Sequence, residues 1–317
     1  MSLAFVFPGQ GSQSLGMLAA LADAEPVVRE TFAEASAVLG YDLWGLCQHG
    51  PEAELGSTEK TQPAMLAAGV AVWRAWRRHD GPRPVAMAGH SLGEYTALVC
   101  SGAIDFAAAV DLVRFRGQAM QQAVPLGQGA MAAILGLEDD ALAAACREAE
   151  QGEVVEPVNF NAPGQVVIAG NASAVARAIE AAKARGAKRA VLLPVSVPSH
   201  SRLMLGAAER LAERLAAVEV RMPDVAAVYT VDVRTHASPD GIRQALKEQL
   251  FKPVRWADTV RAMLASGVTT LVECGPGRVL TALNRRIERR PDLAMLAVED
   301  PQGLAAALAA CREMQHA

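Results

Sequence analysis

The segment Gly89-His90-Ser91-Leu92-Gly93 constrains the fold of this chain more than any other. It follows the apolar run Val85-Ala86-Met87-Ala88 and precedes a helix-forming run from Glu94 to Cys100. Strand, sharp turn and helix with G-x-S-x-G spacing form the pattern of a nucleophile elbow. A serine on so tight a turn is held in a strained backbone conformation. Its neighbours must be small so that strand and helix can approach each other. Such a turn aims the Ser91 hydroxyl into a cleft, above the positive end of the helix dipole. An ordinary Gly-rich turn with a buried serine would share the pentapeptide, but the flanking strand and helix patterns favour the elbow.

An elbow needs a parallel sheet to stand on, and the chain around it supplies the pattern. Leu3 to Phe7 reads as a buried strand that ends in the loop Pro8-Gly9-Gln10-Gly11-Ser12-Gln13. Helices are expected over 26–39 and 60–78, and another up to Gln122 with Asp105 as its N-cap. Strand and helix alternate, which predicts an α/β core. After the linker Pro125-Leu126-Gly127-Gln128-Gly129 the pattern changes to strand 130–137, helix 138–150, strands 154–159 and 165–169, helix 175–185 and strand 190–193. The two middle strands are joined by an expected turn at Asn161-Ala162-Pro163-Gly164. The order βαββαβ is the ferredoxin-like signature. Alternating α/β patterning then resumes with helix 202–217, strand 226–230, helices 240–249 and 256–266, strand 269–273 and helix 278–289. The expected fold class is therefore α/β: an α/β-hydrolase-like core with a parallel sheet, from residues 1–124 and 199–317, and an inserted ferredoxin-like βαββαβ subdomain over 125–198. The insertion would wall the elbow from a second side, and a cleft between lobes is a common substrate site.

Composition removes several function classes. With 51% hydrophobic and 20% charged residues in 317, a full globular core is expected. A net charge of -4 argues against general nucleic-acid binding, and no zinc-finger or RNA-stacking pattern occurs. The five cysteines (Cys47, Cys100, Cys146, Cys274 and Cys311) are odd in number and widely spaced, without C-x-x-C. Neither a disulfide framework nor a zinc site is expected, and a reduced, cytoplasmic setting fits. The stretch Met1 to Pro8 lacks the basic region of a signal peptide, and no apolar run approaches the roughly 20 residues of a membrane span.

A serine hydroxyl needs a nearby base to act as a nucleophile. Of the six histidines, His316 is in the tail, and His49 and His79 sit in polar, Gly/Pro-punctuated stretches. His90 adjoins Ser91 but faces along the turn. His200, in Val195-Ser196-Val197-Pro198-Ser199-His200-Ser201, lies where the chain leaves the inserted lobe and re-enters the cleft, which makes it the best candidate. A base histidine usually needs an acceptor on its other nitrogen. Asp224, Asp232, Glu273 and main-chain carbonyls all remain open for that place.

Six separated motifs occur in order: Phe7 to Gln13, Gly89 to Tyr95, Arg116-Gly117-Gln118, Asn159 to Gln165, Pro198 to Ser201 and Glu273 to Gly277. Through them the chain resembles malonyl-CoA:acyl carrier protein transacylases of bacterial fatty acid synthesis across nearly its whole length. The resemblance implies Ser91 as the acyl-carrying nucleophile and His200 as its base. It implies that a main-chain carbonyl at Gln249, in Glu248-Gln249-Leu250, orients the histidine, and that the N–H groups of Gln10 and Leu92 form the oxyanion hole. It also implies that Arg116 pairs with the free carboxylate of the malonyl group, for which a planar guanidinium fork is suited. Arg114, two residues away on the same helix, would point elsewhere. The implied substrates are malonyl-CoA and a phosphopantetheinylated, acidic acyl carrier protein, with no metal or redox cofactor, and the implied enzyme is a monomer. Two basic clusters could steer such a carrier: Lys183, Arg185, Lys188 and Arg189, and Arg285, Arg286, Arg289 and Arg290. Rival readings are a serine esterase or thioesterase, an acyltransferase serving a polyketide or malonate-decarboxylase carrier, and a non-catalytic acyl-binding protein. An ordinary esterase has no use for Arg116.

Overall fold

The computed structural model describes residues 2–195 and 197–316, so Ser196 and the side chain of His316 lie outside the described set. The strands β1 (Ser2–Phe7), β2 (Ala86–Gly89), β3 (Gly129–Leu135), β4 (Val155–Ala162), β5 (Gln165–Asn171), β6 (Arg189–Leu192), β7 (Ala226–Val228), β8 (Val268–Cys274) and β9 (Ala294–Val298) form two sheets. The larger has the order β7-β2-β1-β8-β9 and is parallel throughout. Its central strand, β1, is apolar on both faces because helices cover both. Phe5 and Phe7 point to one side, where Phe5 meets Trp73 and Trp76 edge-on. Ala4 and Val6 point to the other, into a cluster around Trp256 and Val260. This is the two-residue period of a strand, with the bulky side chains on one face and the small ones on the other. The helix Thr58–Arg78 crosses the bulky face and is buried along most of its length.

The smaller sheet is antiparallel with the order β4-β5-β3-β6, the ferredoxin-like arrangement. Ala132, Ile134, Val166 and Ile168 pack against the helices Asp139–Glu150 and Ala172–Ala184. Met131, Val158, Val167 and Ala169 form a second apolar layer on the opposite face, with Leu193 and Val195 packed against it. β4 is tied to the large sheet's helical layer through Phe160 N–H to Val254 O at 2.9 Å and Val254 N–H to Val158 O at 2.8 Å. The α/β class, the parallel sheet and the ferredoxin-like insert all match the sequence reading.

Some details differ. β4 continues through Asn161 and Ala162, so the turn expected over 161–164 shortens to Pro163-Gly164. The helix expected from Arg202 opens with a 3-10 turn, Arg202–Met204, before Leu205–Ala216. The sequence reading does not anticipate β9 or the helices Ala19–Ala24, Leu43–His49, Glu52–Leu55 and Pro301–His316.

Candidate active site

The loops after β1 and β2 meet at the carboxyl ends of the parallel strands, the usual place for a ligand crevice in an open α/β sheet. His90 N–H donates to Phe7 O at 3.0 Å, which brings the two loops into contact. A Cβ on Gly89 would lie 1.8 Å from the Gly93 carbonyl carbon, and one on Gly93 would lie 2.0 Å from Phe7 O. Neither position has room for a side chain. Between them Ser91 sits in the left-handed region with φ 52°.

The Ser91 hydroxyl is the meeting point of three elements. His200 Nε2 lies 2.8 Å from Ser91 Oγ. His200 Nδ1 lies 2.6 Å from the main-chain oxygen of Gln249, at the end of the helix Pro239–Gln249. A carbonyl oxygen can only accept, so Nδ1 carries the proton and Nε2 presents its lone pair to the serine hydroxyl. The histidine, itself at φ 66°, donates its N–H to Leu250 O at 2.9 Å. Burial, and then the Arg116 charge beside it, push the His200 pKa down to about 3, so the ring is neutral near pH 7.

Arg116 enters from the helix Phe106–Gln121, which Asp105 caps by accepting from Ala108 N–H. Its side chain is 1% exposed. Nη1 donates to Gln62 Oε1 at 2.9 Å, and Nη2 donates to Gln249 Oε1 at 2.9 Å and to Ser91 Oγ at 3.2 Å. Arg114 instead pairs with Asp111, away from the site. Among the described residues, neither the Gln10 nor the Leu92 main-chain N–H has an acceptor, and Leu92 sits at the N-cap of the helix Gly93–Cys100. Gln10, Leu92, Ser91, Arg116 and His200 share one cavity of about 830 Å³, whose far wall includes Met131, Asn159 and Leu193 from the smaller lobe.

The other candidates make no contact with the Ser91 hydroxyl. His90 turns its Nε2 to Asn161 Oδ1 at 2.8 Å and packs its ring on Trp256. His79 pairs with Glu25, and His236 sits beside Asp232. Asp224 lies by Arg83, Asp232 binds Arg234, and Glu273 accepts from the N–H groups of Leu280 and Thr281. None of these three carboxylates touches His200. Two site residues escaped the sequence reading, Gln62 and Glu94. Gln62 ends the polar run that begins at Thr58, at the start of its helix, and Glu94 lies in the first turn of the elbow helix, so neither stands out from the ordinary polar residues of a helix N-terminus.

An acyl transferase domain family matches residues 4–298. The chain belongs to that acyl transferase family. The malonyl CoA-acyl carrier protein transacylase of Escherichia coli (strain K12) is 58% identical over 305 residues, 96% of this chain and 98% of that one. A solved complex of a type II PKS acyl-carrier protein with its malonyl-transacylase superposes with a TM-score of 0.96 at 56% identity, covering 98% of this chain and 100% of that one. The malonyl CoA-acyl carrier protein transacylase of Coxiella burnetii gives a TM-score of 0.96 at 49% identity, covering 98% and 97%. Acyl transfer, rather than hydrolysis or passive binding, is thus the activity of the family to which the Ser91–His200 pair belongs.

Proposed function

We propose that this acyl transferase moves a malonyl group from malonyl-CoA to the phosphopantetheine thiol of an acyl carrier protein, through an ester on Ser91, and so supplies malonyl carrier for fatty acid synthesis. One observation carries the reading: a base and a carboxylate clamp converge on the same hydroxyl, with His200 Nε2 at 2.8 Å and Arg116 Nη2 at 3.2 Å from Ser91 Oγ. The names of the relatives support the choice of donor and acceptor.

The steps follow from the geometry. As Ser91 Oγ attacks the thioester carbon, its proton passes to His200 Nε2, and the imidazolium is stabilised by the Gln249 carbonyl on Nδ1. The carbonyl oxygen becomes an oxyanion directed at the free N–H groups of Gln10 and Leu92. One such donor is worth about 3 kcal/mol in the transition state. Collapse breaks the C–S bond, and the leaving thiolate takes the proton from His200. The carrier thiol then gives its proton to His200, attacks the ester, and returns Ser91 to its hydroxyl form. Arg116 holds the acyl carboxylate throughout. The carboxylate also offsets the charge that depresses His200, so an acyl group with a free carboxylate makes the base stronger where it is needed. A neutral acetyl group would leave the buried guanidinium uncompensated.

The scheme calls for no resident metal or redox group. Every side chain in it comes from one chain, in keeping with a monomer. The five cysteines are all free thiols, as a reducing cytoplasm would keep them, and among the described residues no helix is long and apolar enough to cross a membrane.

The direct test mixes the protein with malonyl-CoA, with and without holo carrier protein, and follows intact mass. A malonyl adduct on Ser91 that disappears into malonyl carrier, and is absent in Ser91→Ala, is the expected result. Free malonate as the main product would favour a hydrolase instead.

A further inference from the structure

One buried carboxylate beside the site takes no part in the steps above. Glu94, in the first turn of the elbow helix, is 2% exposed. Its Oε1 accepts from the N–H and the hydroxyl of Thr230, at 2.7 and 2.6 Å. Its Oε2 accepts from Gln249 Nε2 at 2.6 Å. That amide nitrogen also donates to Ser91 O at 2.9 Å, and the amide oxygen accepts from Arg116 Nη2 at 2.9 Å. A continuous path therefore runs from Thr230 through Glu94 and Gln249 to the guanidinium.

The donors dictate what position 94 can hold. The Thr230 N–H is fixed by the main chain and can only donate, and so can the Gln249 NH2 group. A residue lying between them must accept at both ends, which an ionised carboxylate does and a neutral amide cannot. A glutamine here would turn its oxygen to Thr230 and its NH2 towards Gln249. The Gln249 amide would then have to turn over, setting its own NH2 against Arg116 and withdrawing the donor from Ser91 O. Glu94 thus decides which way Gln249 faces.

The placement of the negative charge also has a consequence. Arg116 is held by two amide oxygens and a hydroxyl, and among the described residues it forms no ion pair and its Nε has no acceptor. A carboxylate directly on the guanidinium would compete with the carboxylate of the acyl group. In its ionised form Glu94, one amide removed, offsets the burial of Arg116 while leaving the guanidinium unpaired.

We propose that Glu94 is a positioning residue that locks the Gln249 amide with its oxygen on Arg116, and thereby sets the preference for acyl groups bearing a free carboxylate. The inference rests on the malonyl-transfer reading of the site.

The experiment compares wild type, Glu94→Gln, and Glu94→Gln combined with Gln249→Glu, all as full chains. It measures acylation of Ser91 by malonyl-CoA and by acetyl-CoA over a range of concentrations, with melting temperature as the control for folding. In Glu94→Gln the half-saturating malonyl-CoA concentration should rise about tenfold, the loss of one charge-assisted contact. Acylation by acetyl-CoA should fall less than acylation by malonyl-CoA, because the acetyl group itself makes no contact with the guanidinium, so the malonyl-to-acetyl ratio drops. The double variant restores a matched set of donors and acceptors, and the N–H at position 94 still donates to Ser91 O. It should fold like the wild type, yet it should also lose the malonyl preference, because the carboxylate introduced at position 249 would then sit on Arg116. If Glu94→Gln does not fold, recovery of a wild-type melting temperature in the double variant supports the matched donor–acceptor pairing of positions 94 and 249, and failure to recover it overturns that pairing. Equal losses for both acyl donors, or an unchanged malonyl-to-acetyl ratio in a folded variant, would overturn the positioning role. Absence of a malonyl ester on the wild type would overturn the transfer reading and this inference with it.

Discussion

Ser91 and His200 share a feature besides their hydrogen bond: both are non-glycine residues in the left-handed region. Such strain persists where the surroundings over-determine it, and here both residues are pinned from several sides. His200 also stores a pH dependence. Its pKa falls to about 3 on folding, from the ordinary histidine value of about 6.5, so the unfolded chain binds the extra proton first. The stability gained by keeping the ring neutral is complete above about pH 6.5. It is lost as pH falls from there towards 3, by up to about 1.4 kcal/mol per pH unit. Glu94, raised to about 7 by burial, acts in the opposite sense over an overlapping window. Comparing wild type with His200→Ala isolates the histidine. Melting curves between pH 7 and pH 4 should converge for the two proteins as pH falls. Parallel curves would contradict the assignment.

At the scale of elements, the elbow depends on the absence of side chains at two points. Gly93→Ala should destabilise the fold by about 3 kcal/mol, because the Cβ meets a main-chain oxygen that cannot move freely. Gly206→Ala is the control. In the helix Leu205–Ala216 it meets nothing within 4 Å, so it should be neutral or stabilising by about 0.5 kcal/mol. Denaturant midpoints of the two variants check both. The elements that were legible in the sequence had a strong local cause. The Asp105 cap, the helix Pro26–Leu39 with its leading proline, and the β1 apolar run are examples. β9 was missed because five apolar residues after a Pro-Asp turn have no period of their own, and only pairing with β8 makes them a strand.

For the whole molecule, the reaction needs two substrates to reach one cavity, and the smaller lobe forms its outer wall. β6 runs directly into the cavity-lining residues Leu193 to Val195. On that edge Lys183 and Arg185 are already committed to Glu180 and Glu148, whereas the exposed Lys188 and Arg189 form no ion pair among the described residues. In the other basic cluster Arg286 binds Gln165 and Arg290 approaches Asp292. Replacing Lys188 and Arg189 with glutamate should raise KM for an acidic carrier and leave KM for malonyl-CoA nearly unchanged. The effect should shrink with added salt. Steady-state kinetics with each substrate varied in turn would show it, and equal changes for both would count against a docking role.

The sequence by itself determined the elbow, the α/β class, the ferredoxin-like insert and, through short ordered motifs, Ser91, His200 and Arg116 as candidates, because each is written in local spacing and composition or in such motifs. It left the partner of His200 open among three carboxylates and the main chain. The motif resemblance implied the Gln249 carbonyl there, and the tertiary structure sets it 2.6 Å from Nδ1; residue spacing alone could not, since a main-chain oxygen leaves no mark on the sequence. The tertiary structure alone decided that Glu94, Gln249 and Arg116 act on one another. These residues are 22 to 155 positions apart in the chain, and only folding brings their donors and acceptors within 3 Å.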